Sequence, residues 1–413
     1  MLETKWQTVD IKQITKLLKD GSHGTHSDVI DGIPLLSAKD INNGTICTDN
    51  DPRRISLEEF EAIHKNYSIQ NGDILLTIVG SIGRIAQVKN YKNNFTLQRS
   101  VAIIRFKESA LNDFMYYLMV GGDFYKELRK RENKGAQGGV YLGEIGKISV
   151  NLPPIDEQKY IVGVLKTWDQ YLELIDNKLS LKRALKKGLA KRLISGDVRV
   201  SGFSNSWGSA KLGDIATIKR GGSPRPIDSY FTNSDSGLNW LKIGDIKLGS
   251  RYIARTAQKI KPEGLSKTTM VHEGDFILSN SMSFGRPYIM KISACIHDGW
   301  LALMDINPNV NKSFLFYMLS SNKIQGKFKA LSAGSGVQNL KKETVATVEI
   351  QLPSVEEQTA IAKILHDADD EIELLVEERK LIAAQRDYLI HNLVTGKLRL
   401  SATKADSRET TYA

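Results

Sequence analysis

One short stretch occurs twice in this chain, 200 residues apart, as Leu152-Pro153-Pro154-Ile155-Asp156-Glu157-Gln158 and Leu352-Pro353-Ser354-Val355-Glu356-Glu357-Gln358. Each copy is followed by a long segment almost free of helix-breaking residues. The two segments close at the same offset, in Leu193-Ile194-Ser195-Gly196 and Leu393-Val394-Thr395-Gly396. Because a repeat that stays in frame at both ends indicates two copies of one structural unit, the sequence predicts a duplicated architecture.

Apolar residues in the two segments step alternately by four and three, which is the spacing of a coiled-coil seam. Ser354 with Glu357 indicates a capping box at the start of the second helix, and Gly196 and Gly396 indicate the helix ends. The sequence therefore predicts one long helix in each half. The predicted seam consists of Ile161, Leu165, Trp168, Leu172, Ile175, Leu179, Ile361, Leu365, Ala368, Ile372, Leu375, Ile382 and Leu389.

The charge of the two helices predicts how they pair. Residues 156–193 carry nine Lys/Arg and five Asp/Glu, a net charge of +4, whereas residues 356–393 carry four and ten, a net charge of −6. The basic residues gather late in the first helix and the acidic residues early in the second. Antiparallel pairing places these opposite charges together and parallel pairing does not, so we expect an antiparallel coiled coil. The alternative interpretation is that each charged run is merely a solvated face.

The repeat continues into the segments that precede the helices. Gly72-Asp73-Ile74-Leu75-Leu76 matches Gly274-Asp275-Phe276-Ile277-Leu278, and Gly83-Arg84 matches Gly285-Arg286. Strand patterns at 95–106 and 295–306 and helix patterns at 112–130 and 312–329 complete two α/β (α+β) domains. The predicted boundaries are 1–151 and 201–351 for the globular domains, 152–200 and 352–400 for the helices, and 401–413 for a disordered tail.

Composition narrows the class of protein. No apolar run approaches the roughly 18 residues that span a membrane, and the N-terminus does not look like a signal peptide, so we expect a cytoplasmic protein. Cys47 and Cys295 fit neither a disulfide framework nor a zinc cluster, and the seven histidines include no metal-spaced pair. The helices together carry −2 of the net charge of +10, which leaves +12 for the rest of the chain. A basic surplus on the globular domains favours an anionic partner such as DNA.

In the order and doubling of these motifs, the chain resembles the specificity subunit of Type I restriction-modification systems. The resemblance depends on the helix openings and endings, the Gly-Asp strands and the Gly-Arg pairs, and it covers the chain up to residue 400. It implies two target-recognition domains that each read half of a bipartite, asymmetric double-stranded DNA site. It implies that the helices act as a ruler and as a docking surface for two modification subunits. It also places S-adenosylmethionine, used for adenine methylation, on those subunits, and ATP, magnesium and the nuclease on restriction/motor subunits, with no cofactor in this chain.

Motifs that could carry chemistry of their own are incomplete. Asn151-Leu152-Pro153-Pro154-Ile155 is similar to the Asn-Pro-Pro-aromatic motif of amino-methyltransferases, but it lacks the proline directly after Asn and the final aromatic residue. Gly80-Ser81-Ile82-Gly83 and Gly334-Ser335-Gly336 lack the Lys-Ser/Thr of a nucleotide-binding loop. We therefore predict a non-enzymatic chain. The alternatives are a stand-alone adenine methyltransferase and a coiled-coil adaptor that does not bind DNA.

Base readout is expected on loops, where polar side chains reach base edges while Lys and Arg hold phosphates. Structural roles remain open for Arg84 and Arg286, which could pair with a local carboxylate, and for His297, which could form a buried pair with Asp298. Trp6, Trp207 and Trp240 are expected in the core. The candidate DNA-binding residues are Ser37, Lys39, Ser81, Arg84, Gln98 and Arg99 in the first domain and Lys242, Asn280, Ser283, Arg286, His297 and Gln338 in the second.

Overall fold

The chain divides into two compact units, Met1–Asp176 with Glu377–Ala413, and Asn177–Val376. Each unit contains one globular domain and half of each long helix, so the units cross the domain boundaries that follow from the repeat. The predicted tail 401–413 lies outside the residues that the structure describes. This structure is a computed structural model, and it describes residues 5–42, 44–48, 51–65, 67–133, 138–246, 250–280, 285–333 and 339–399.

The main sheet of the first half of the chain is antiparallel. The strands of this half are β1 (Gln7–Asp10), β2 (Thr15–Asp20), β3 (Ile33–Leu36), β4 (Ile41–Asn42), β5 (Thr45–Ile46), β6 (Arg53–Ile55), β7 (Ile74–Thr77), β8 (Ile85–Gln87), β9 (Thr96–Leu97), β10 (Val101–Phe106) and β11 (Ser149–Leu152). Its helices are α1 (Ile11–Ile14), α2 (Leu57–His64), α3 (Asn112–Gly121), α4 (Phe124–Lys130), α5 (Leu142–Gly146) and the long α6 (Ile155–Ser195). The main sheet has the order β2-β10-β7-β8, a second sheet has the order β6-β3-β9, and β1 pairs with β11.

The second half repeats this plan with an extended second sheet. Its strands are β12 (Gly208–Lys211), β13 (Thr217–Arg220), β14 (Phe231–Thr232), β15 (Leu238–Leu241), β16 (Tyr252–Ile253), β17 (Gln258–Ile260), β18 (Thr269–Val271), β19 (Phe276–Ser279), β20 (Pro287–Met290), β21 (Ala294–Ile296), β22 (Trp300–Met304) and β23 (Glu349–Leu352). Its helices are α7 (Leu212–Ile215), α8 (Lys312–Ser320), α9 (Asn322–Ala333), α10 (Lys342–Ala346) and the long α11 (Val355–Val394). The sheets have the orders β13-β22-β19-β20-β16 and β14-β17-β15-β21-β18, and β12 pairs with β23.

Both faces of the main sheet are buried in each unit. On β7 of the first unit, Ile74 packs in a core with Phe114 of α3, while its neighbour Leu75 packs in a separate core on the opposite face. On β19 of the second unit, Phe276 and Ile277 divide in the same way. Strands buried on both faces lose the alternation of polar and apolar residues, which explains the continuous apolar runs in the sequence.

The structure corrects two pairs of predicted elements. The helix predicted over 112–130 is interrupted at Gly122, which is extended (φ −95°, ψ −165°) and separates α3 from α4. The helix predicted over 312–329 is interrupted in the same way at the extended Ser321. The strands predicted over 95–106 and 295–306 are each split by a loop, between β9 and β10 and between β21 and β22. These two loops carry three of the candidate DNA-binding residues.

The two long helices end at the glycines that the sequence indicated. Gly196 and Gly396 have φ values of 78° and 72°, a left-handed conformation that glycine adopts without a steric penalty. At the start of α11, the Ser354 hydroxyl accepts a hydrogen bond from the Glu357 amide at 3.4 Å. The Glu357 carboxylate binds Arg199 and Trp207, so only half of the predicted capping box forms as a local contact.

Ion pairs within each unit show that the helices run antiparallel, as the charge pattern predicted. In the first unit α6 pairs with α11 through Asp169–Arg386 at 2.6 Å and Asp176–Arg379, whose Oδ2 and Nη2 lie 2.9 Å apart. In the second unit the pairs are Lys182–Glu371 at 2.7 Å and Lys186–Asp369. Within each unit, the residue number rises along α6 as that of its partner falls along α11.

The predicted seam positions follow the burial pattern along both helices. The buried positions are Ile161, Leu165, Ile175, Leu179, Ile361, Leu365 and Leu375, and the half-buried positions are Trp168, Leu172, Ala368, Ile372, Ile382 and Leu389. The outer ends of the helices join the globular cores, where Ile161 and Ile390 pack in the first unit and Ile361 in the second. Each globular domain is therefore built directly onto the helix pair of its unit.

Candidate nucleic-acid interface

Four loops of the first domain meet near the ends of strands β2, β3, β7 and β9. The Gln98 amide donates to the Leu36 carbonyl at 2.8 Å, and the Arg99 amide donates to the Ser22 carbonyl at 2.9 Å. Arg84 Nη1 donates to the Ile41 carbonyl at 3.3 Å. The first loop cluster consists of residues 21–26, 37–42, 78–84 and 98–100, and all six candidate residues of the first domain lie in it.

The six candidates have different local roles. Ser37 caps a short 3-10 helix over 38–40, and its hydroxyl donates to Asp40 at 3.0 Å. Arg84 is held by backbone carbonyls rather than by the carboxylate considered from the sequence, and it joins two loops of the cluster. Lys39, Ser81 and Arg99 are exposed, and Gln98 is half-buried. Of the six candidates, these three are therefore the most accessible to solvent.

The second domain forms an equivalent second loop cluster from residues 221–225, 242–246, 279–280, 285–286 and 297–299. Asn280 is buried, and its Nδ2 donates to the Asp298 carbonyl at 2.8 Å, so this candidate holds the loop between β21 and β22 in place from the protein interior. Lys242 and Arg286 are half-buried, and the Arg286 guanidinium lies 5.9 Å from the Tyr288 ring centroid. The candidates Ser283 and Gln338 lie outside the described residues.

His297 and Asp298 occupy the loop between β21 and β22. The His297 ring lies beside Trp240 and Trp300, with centroids 6.3 Å and 6.1 Å away. Its Nδ1 accepts a hydrogen bond from the Gly299 amide at 2.7 Å, which assigns the neutral tautomer protonated on Nε2. Burial lowers the pKa of His297, consistent with a neutral ring.

The Asp298 carboxylate is 49% exposed, so His297 and Asp298 do not form the buried pair considered from the sequence. Partial burial acts to raise its pKa, but the hydrogen bond from Ser223, its own backbone amide and nearby positive charge together hold the pKa below the ordinary value. Asp298 is therefore an anion at neutral pH. The Ser223 hydroxyl donates to its Oδ1 at 2.9 Å.

Matching backbone hydrogen bonds make the two loops structurally equivalent. In each loop, one amide-to-carbonyl hydrogen bond closes the loop on itself. A second bond joins the residue after the loop to the glycine that follows β2 or β13, and a third joins the loop to the residue that follows β7 or β19. The three pairs are Val101–Gln98 (2.9 Å) with Trp300–His297 (3.1 Å), Gly21–Val101 (3.0 Å) with Gly221–Trp300 (2.9 Å), and Ile78–Ser100 (2.9 Å) with Asn280–Gly299 (3.0 Å). Gln98 thus corresponds to His297, and Arg99 corresponds to Asp298.

Sequence reasoning missed the basic residues that surround the second loop cluster. Arg220 donates to the Asp298 carbonyl at 3.2 Å, and the 82% exposed Arg225 lies 3.9 Å from the Asp298 carboxylate. Lys267 donates to the Tyr230 hydroxyl at 2.7 Å and lies over its ring. The signal was the glycine-rich basic run Arg220-Gly221-Gly222-Ser223-Pro224-Arg225, which directly follows strand β13.

A serine and a histidine of the first loop cluster lie in series with a carboxylate of α2, an arrangement that the sequence did not predict. The Ser22 hydroxyl lies 2.6 Å from His26 Nε2, and His26 Nδ1 lies 3.2 Å from Glu59 on α2. These residues line a cavity of about 410 Å³ together with Lys19 and Tyr67. The Gly24 amide also donates to the Ser22 hydroxyl at 3.3 Å, so the series ties loop 22–26 to itself and to α2.

Exposed leucines mark the helix pair of each unit. In the first unit Leu174 and Leu381 are 65% and 61% exposed, and in the second unit Leu374 and Leu181 are each 72% exposed. Leu174, Leu374 and Leu381 directly precede the seam residues Ile175, Leu375 and Ile382, and Leu181 precedes Lys182, which corresponds to Ile382 in the repeat. With these seam residues at heptad position d, all four leucines are at position c. Leu174 lies five residues after Asp169, and Leu381 lies five residues before Arg386, the ion-pair partner of Asp169. The two leucines therefore lie at the same height along the antiparallel helix pair. The same count from the Asp369–Lys186 ion pair places Leu374 at the height of Leu181.

The described part of the chain shows neither a membrane-spanning helix nor a metal cluster. None of its helices is long and apolar enough to cross a membrane. Within the same residues, there is no group of three or more His, Cys, Asp or Glu side chains that could hold a metal ion.

Comparison with known proteins gives matches along almost the whole chain. A family model described as the Type I restriction modification DNA specificity domain matches twice, at residues 3–183 and 205–384. The type I restriction enzyme MjaVIII specificity subunit of Methanocaldococcus jannaschii is 24% identical over 421 residues, which cover 96% of this chain and 93% of that protein.

Two crystal structures have a similar fold. The S subunit of a Type I restriction-modification system from M. genitalium has a TM-score of 0.55 at 16% identity, and the match covers 95% of this chain and 97% of that one. The HsdS subunit from Thermoanaerobacter tengcongensis has a TM-score of 0.52 at 17% identity, over 96% and 98% of the two chains. Each family match contains one copy of the Gly-Asp strand, the Gly-Arg pair and the helix opening, and ends before the repeated helix ending.

Proposed function

The chain belongs to the Type I restriction-modification DNA specificity family, and we propose that its two globular domains each read one half of a bipartite, asymmetric double-stranded DNA site. The observation that carries this proposal is the pair of loop clusters, which share one backbone frame but present different side chains. The frame holds Gln98 and Arg99 in one domain and His297 and Asp298 in the other. Because base edges are read by side chains, two unlike sets on one frame would read unlike half-sites.

Basic residues around the loop clusters support binding to the DNA backbone. Lys39 and Arg99 are exposed in the first cluster, Arg225 is exposed in the second, and Arg220 is exposed directly beside the second. Phosphate contacts of this kind supply most of the sequence-independent affinity and make binding fall steeply with salt. These residues, together with the surplus of +12 outside the helices, support binding to an anionic backbone.

The matched leucines support docking of two copies of one partner, which we propose to be modification subunits. Leu174 with Leu381, and Leu374 with Leu181, are equivalent under the 200-residue repeat. In an antiparallel pair, equal heptad positions lie on the same side, so each unit carries a two-leucine apolar patch. Such patches, surrounded by charged residues, are typical of protein-binding surfaces.

The chemistry is proposed to belong to the partners. S-adenosylmethionine would be bound by the modification subunits, and ATP and magnesium by restriction/motor subunits, while this chain selects the DNA sequence without catalysis. The Ser22–His26–Glu59 series would then have a structural role in loop 22–26, and Ser22→Ala should leave the rate of methylation at saturating cognate DNA unchanged. A loss of that rate, with DNA binding intact, would contradict the non-catalytic role.

The test is to assemble the full chain with modification subunits of its own host and to map adenine methylation over a genome that carries both. The proposal expects one bipartite motif with two different halves. A motif of a single half, or no motif together with salt-independent DNA binding, contradicts it. Stoichiometric S-adenosylmethionine binding by the chain alone in equilibrium dialysis would favour the methyltransferase alternative, and absence of DNA binding by the assembled complex would favour the adaptor.

Docking has its own test in native mass spectrometry. Leu181→Glu with Leu374→Glu should reduce the bound modification subunits from two to one, because it places charge in one patch and leaves the other intact. Ser180→Glu is the matched control, since Ser180 is an exposed neighbour at heptad position b, on the other side of the helix pair. Retention of two subunits by the double variant would show that the patch is not the docking surface.

A further inference from the structure

We propose that Arg99 and Asp298 each read one G·C base pair, Arg99 from the guanine edge and Asp298 from the cytosine edge. This inference rests on the proposed DNA-reading function and deepens it by naming a base for each domain. The two residues occupy the same position on the common loop frame, so the two domains would place opposite charges at equivalent points of their half-sites.

The backbone around Arg99 is fixed while its side chain is exposed. The Arg99 amide donates to Ser22, and the loop is closed by the bond from Val101 to Gln98. An exposed guanidinium on a loop whose backbone is held in this way can form two parallel hydrogen bonds with O6 and N7 of guanine, the commonest specific contact of arginine in the major groove. Lysine at this position could not reproduce the planar fork of donors.

An exposed carboxylate needs a donor when it approaches DNA, because phosphates repel it. The basic residues Arg220 and Arg225 that surround Asp298 are suited to bring phosphates to this edge of the domain. Ser223 and the buried Asn280 hold the loop, through the carboxylate and the carbonyl of Asp298 respectively. The arrangement therefore keeps an anion in place at a surface suited to phosphates, and its approach to DNA is unfavourable unless the anion accepts a hydrogen bond from a base.

Cytosine fits that carboxylate better than adenine does. A carboxylate has about four lone-pair sites, so the Ser223 hydroxyl leaves Asp298 able to accept from a base. In the major groove the N4 amino group of cytosine has one acceptor neighbour, O6 of the paired guanine. The N6 amino group of adenine lies between two acceptors, its own N7 and the O4 of thymine, and both repel a carboxylate.

The experiment begins with selection from a randomised duplex library by the full chain assembled with its modification subunits. Both selected halves should contain a G·C pair. In the selected site, 7-deazaguanine, which lacks N7, should weaken binding about 5- to 150-fold when it replaces the guanine read by Arg99. Removing the cytosine amino group with 2-pyrimidinone should cause a loss of similar size in the other half.

The substitutions Arg99→Ala and Asp298→Ala assign these losses to residues. Each should abolish the sensitivity to its own base analogue and leave the sensitivity of the other half unchanged. Arg255→Ala is the control for loss of a positive charge, because Arg255 is exposed in the second domain and outside the loop cluster.

The possible failures separate this inference from the proposed function. A bipartite motif that tolerates both analogues, or a switch of the Asp298 half to adenine, overturns the base assignment while two-domain reading stands. Selection of no motif contradicts the proposed function and this inference together.

Discussion

The Arg199 guanidinium, just beyond the end of α6, forms two hydrogen bonds with the Glu357 carboxylate at the start of α11, with Nε–Oε1 and Nη2–Oε2 distances of 2.7 Å and 2.6 Å. Trp207 donates a third hydrogen bond to Glu357 at 3.2 Å. The same contact occurs in the first unit, where Arg399 binds Glu157 at 2.7 Å and 2.9 Å. The glutamate of the repeated Leu-Pro stretch therefore joins the start of one long helix to the end of the other within each unit.

Removal of Arg199 should destabilise the second unit more than removal of Arg399 destabilises the first. Glu357 is 2% exposed, so Arg199→Ala leaves a buried carboxylate without its cation and should cost about 3 kcal/mol. Arg399 is 47% exposed and its partner Glu157 12%, so Arg399→Ala should cost about 1 kcal/mol. Denaturant unfolding of the full chain, followed separately in each unit by amide exchange, measures both values. Equal losses would contradict the dependence on burial.

Charge reversal on α6 should act only at the residues that contact α11. Lys182→Glu with Lys186→Glu opposes Glu371 and Asp369 and should lower the unfolding free energy by about 1–2 kcal/mol at low salt. Arg183→Glu with Lys187→Glu changes the charge equally but on the exposed side of the helix. Adding Asp369→Lys and Glu371→Lys should restore the stability lost by the first pair. The solvated-face interpretation instead expects equal effects from both pairs.

Replacement of glycine by alanine should change the stability in opposite directions at Gly188 and Gly196. An added Cβ at Gly188 meets no atom within 4 Å, so Gly188→Ala should stabilise α6 by about 1 kcal/mol through helix propensity. Gly196 has a φ of 78°, so Gly196→Ala strains the helix end and should destabilise by about 1 kcal/mol. Thermal unfolding of the two single variants under one set of conditions distinguishes them. Stabilisation by both would show that the helix end relaxes freely.

The sequence predicted the elements whose pattern repeats over short distances, and its predictions were wrong where contacts between distant residues determine where an element ends. The 4-3 spacing and the charge blocks specify two helices and their antiparallel pairing, because these features repeat along one element. The breaks at Gly122 and Ser321 escaped notice because the apolar pattern of the helix continues on both sides of each.

The candidate site followed the same rule. Polarity selected Arg99 and His297 as loop candidates, although both lie inside the strands predicted over 95–106 and 295–306, and the structure shows the loops that split those strands. Only the structure shows that Asn280 is buried and that Arg84 is bound by backbone carbonyls. The equivalence of Arg99 with Asp298 depends on backbone hydrogen bonds that no motif records. Residues of opposite charge at equivalent positions cannot be aligned from their identity alone.

The second unit should become less stable as the pH is lowered, because His297 is held neutral in the folded state. Burial lowers its pKa from the ordinary value of 6.5, so below pH 6.5 the unfolded chain binds a proton that the folded chain resists. Stability is therefore complete above that value and declines as the pH falls towards the lowered pKa. His297→Asn keeps an acceptor for the Gly299 amide but does not titrate, and its thermal midpoint should depend less on pH between 7.5 and 5. His64, whose pKa burial also lowers, gives the matched variant His64→Asn in the first unit. An unchanged pH dependence in His297→Asn would show that the folded state accepts the imidazolium without cost.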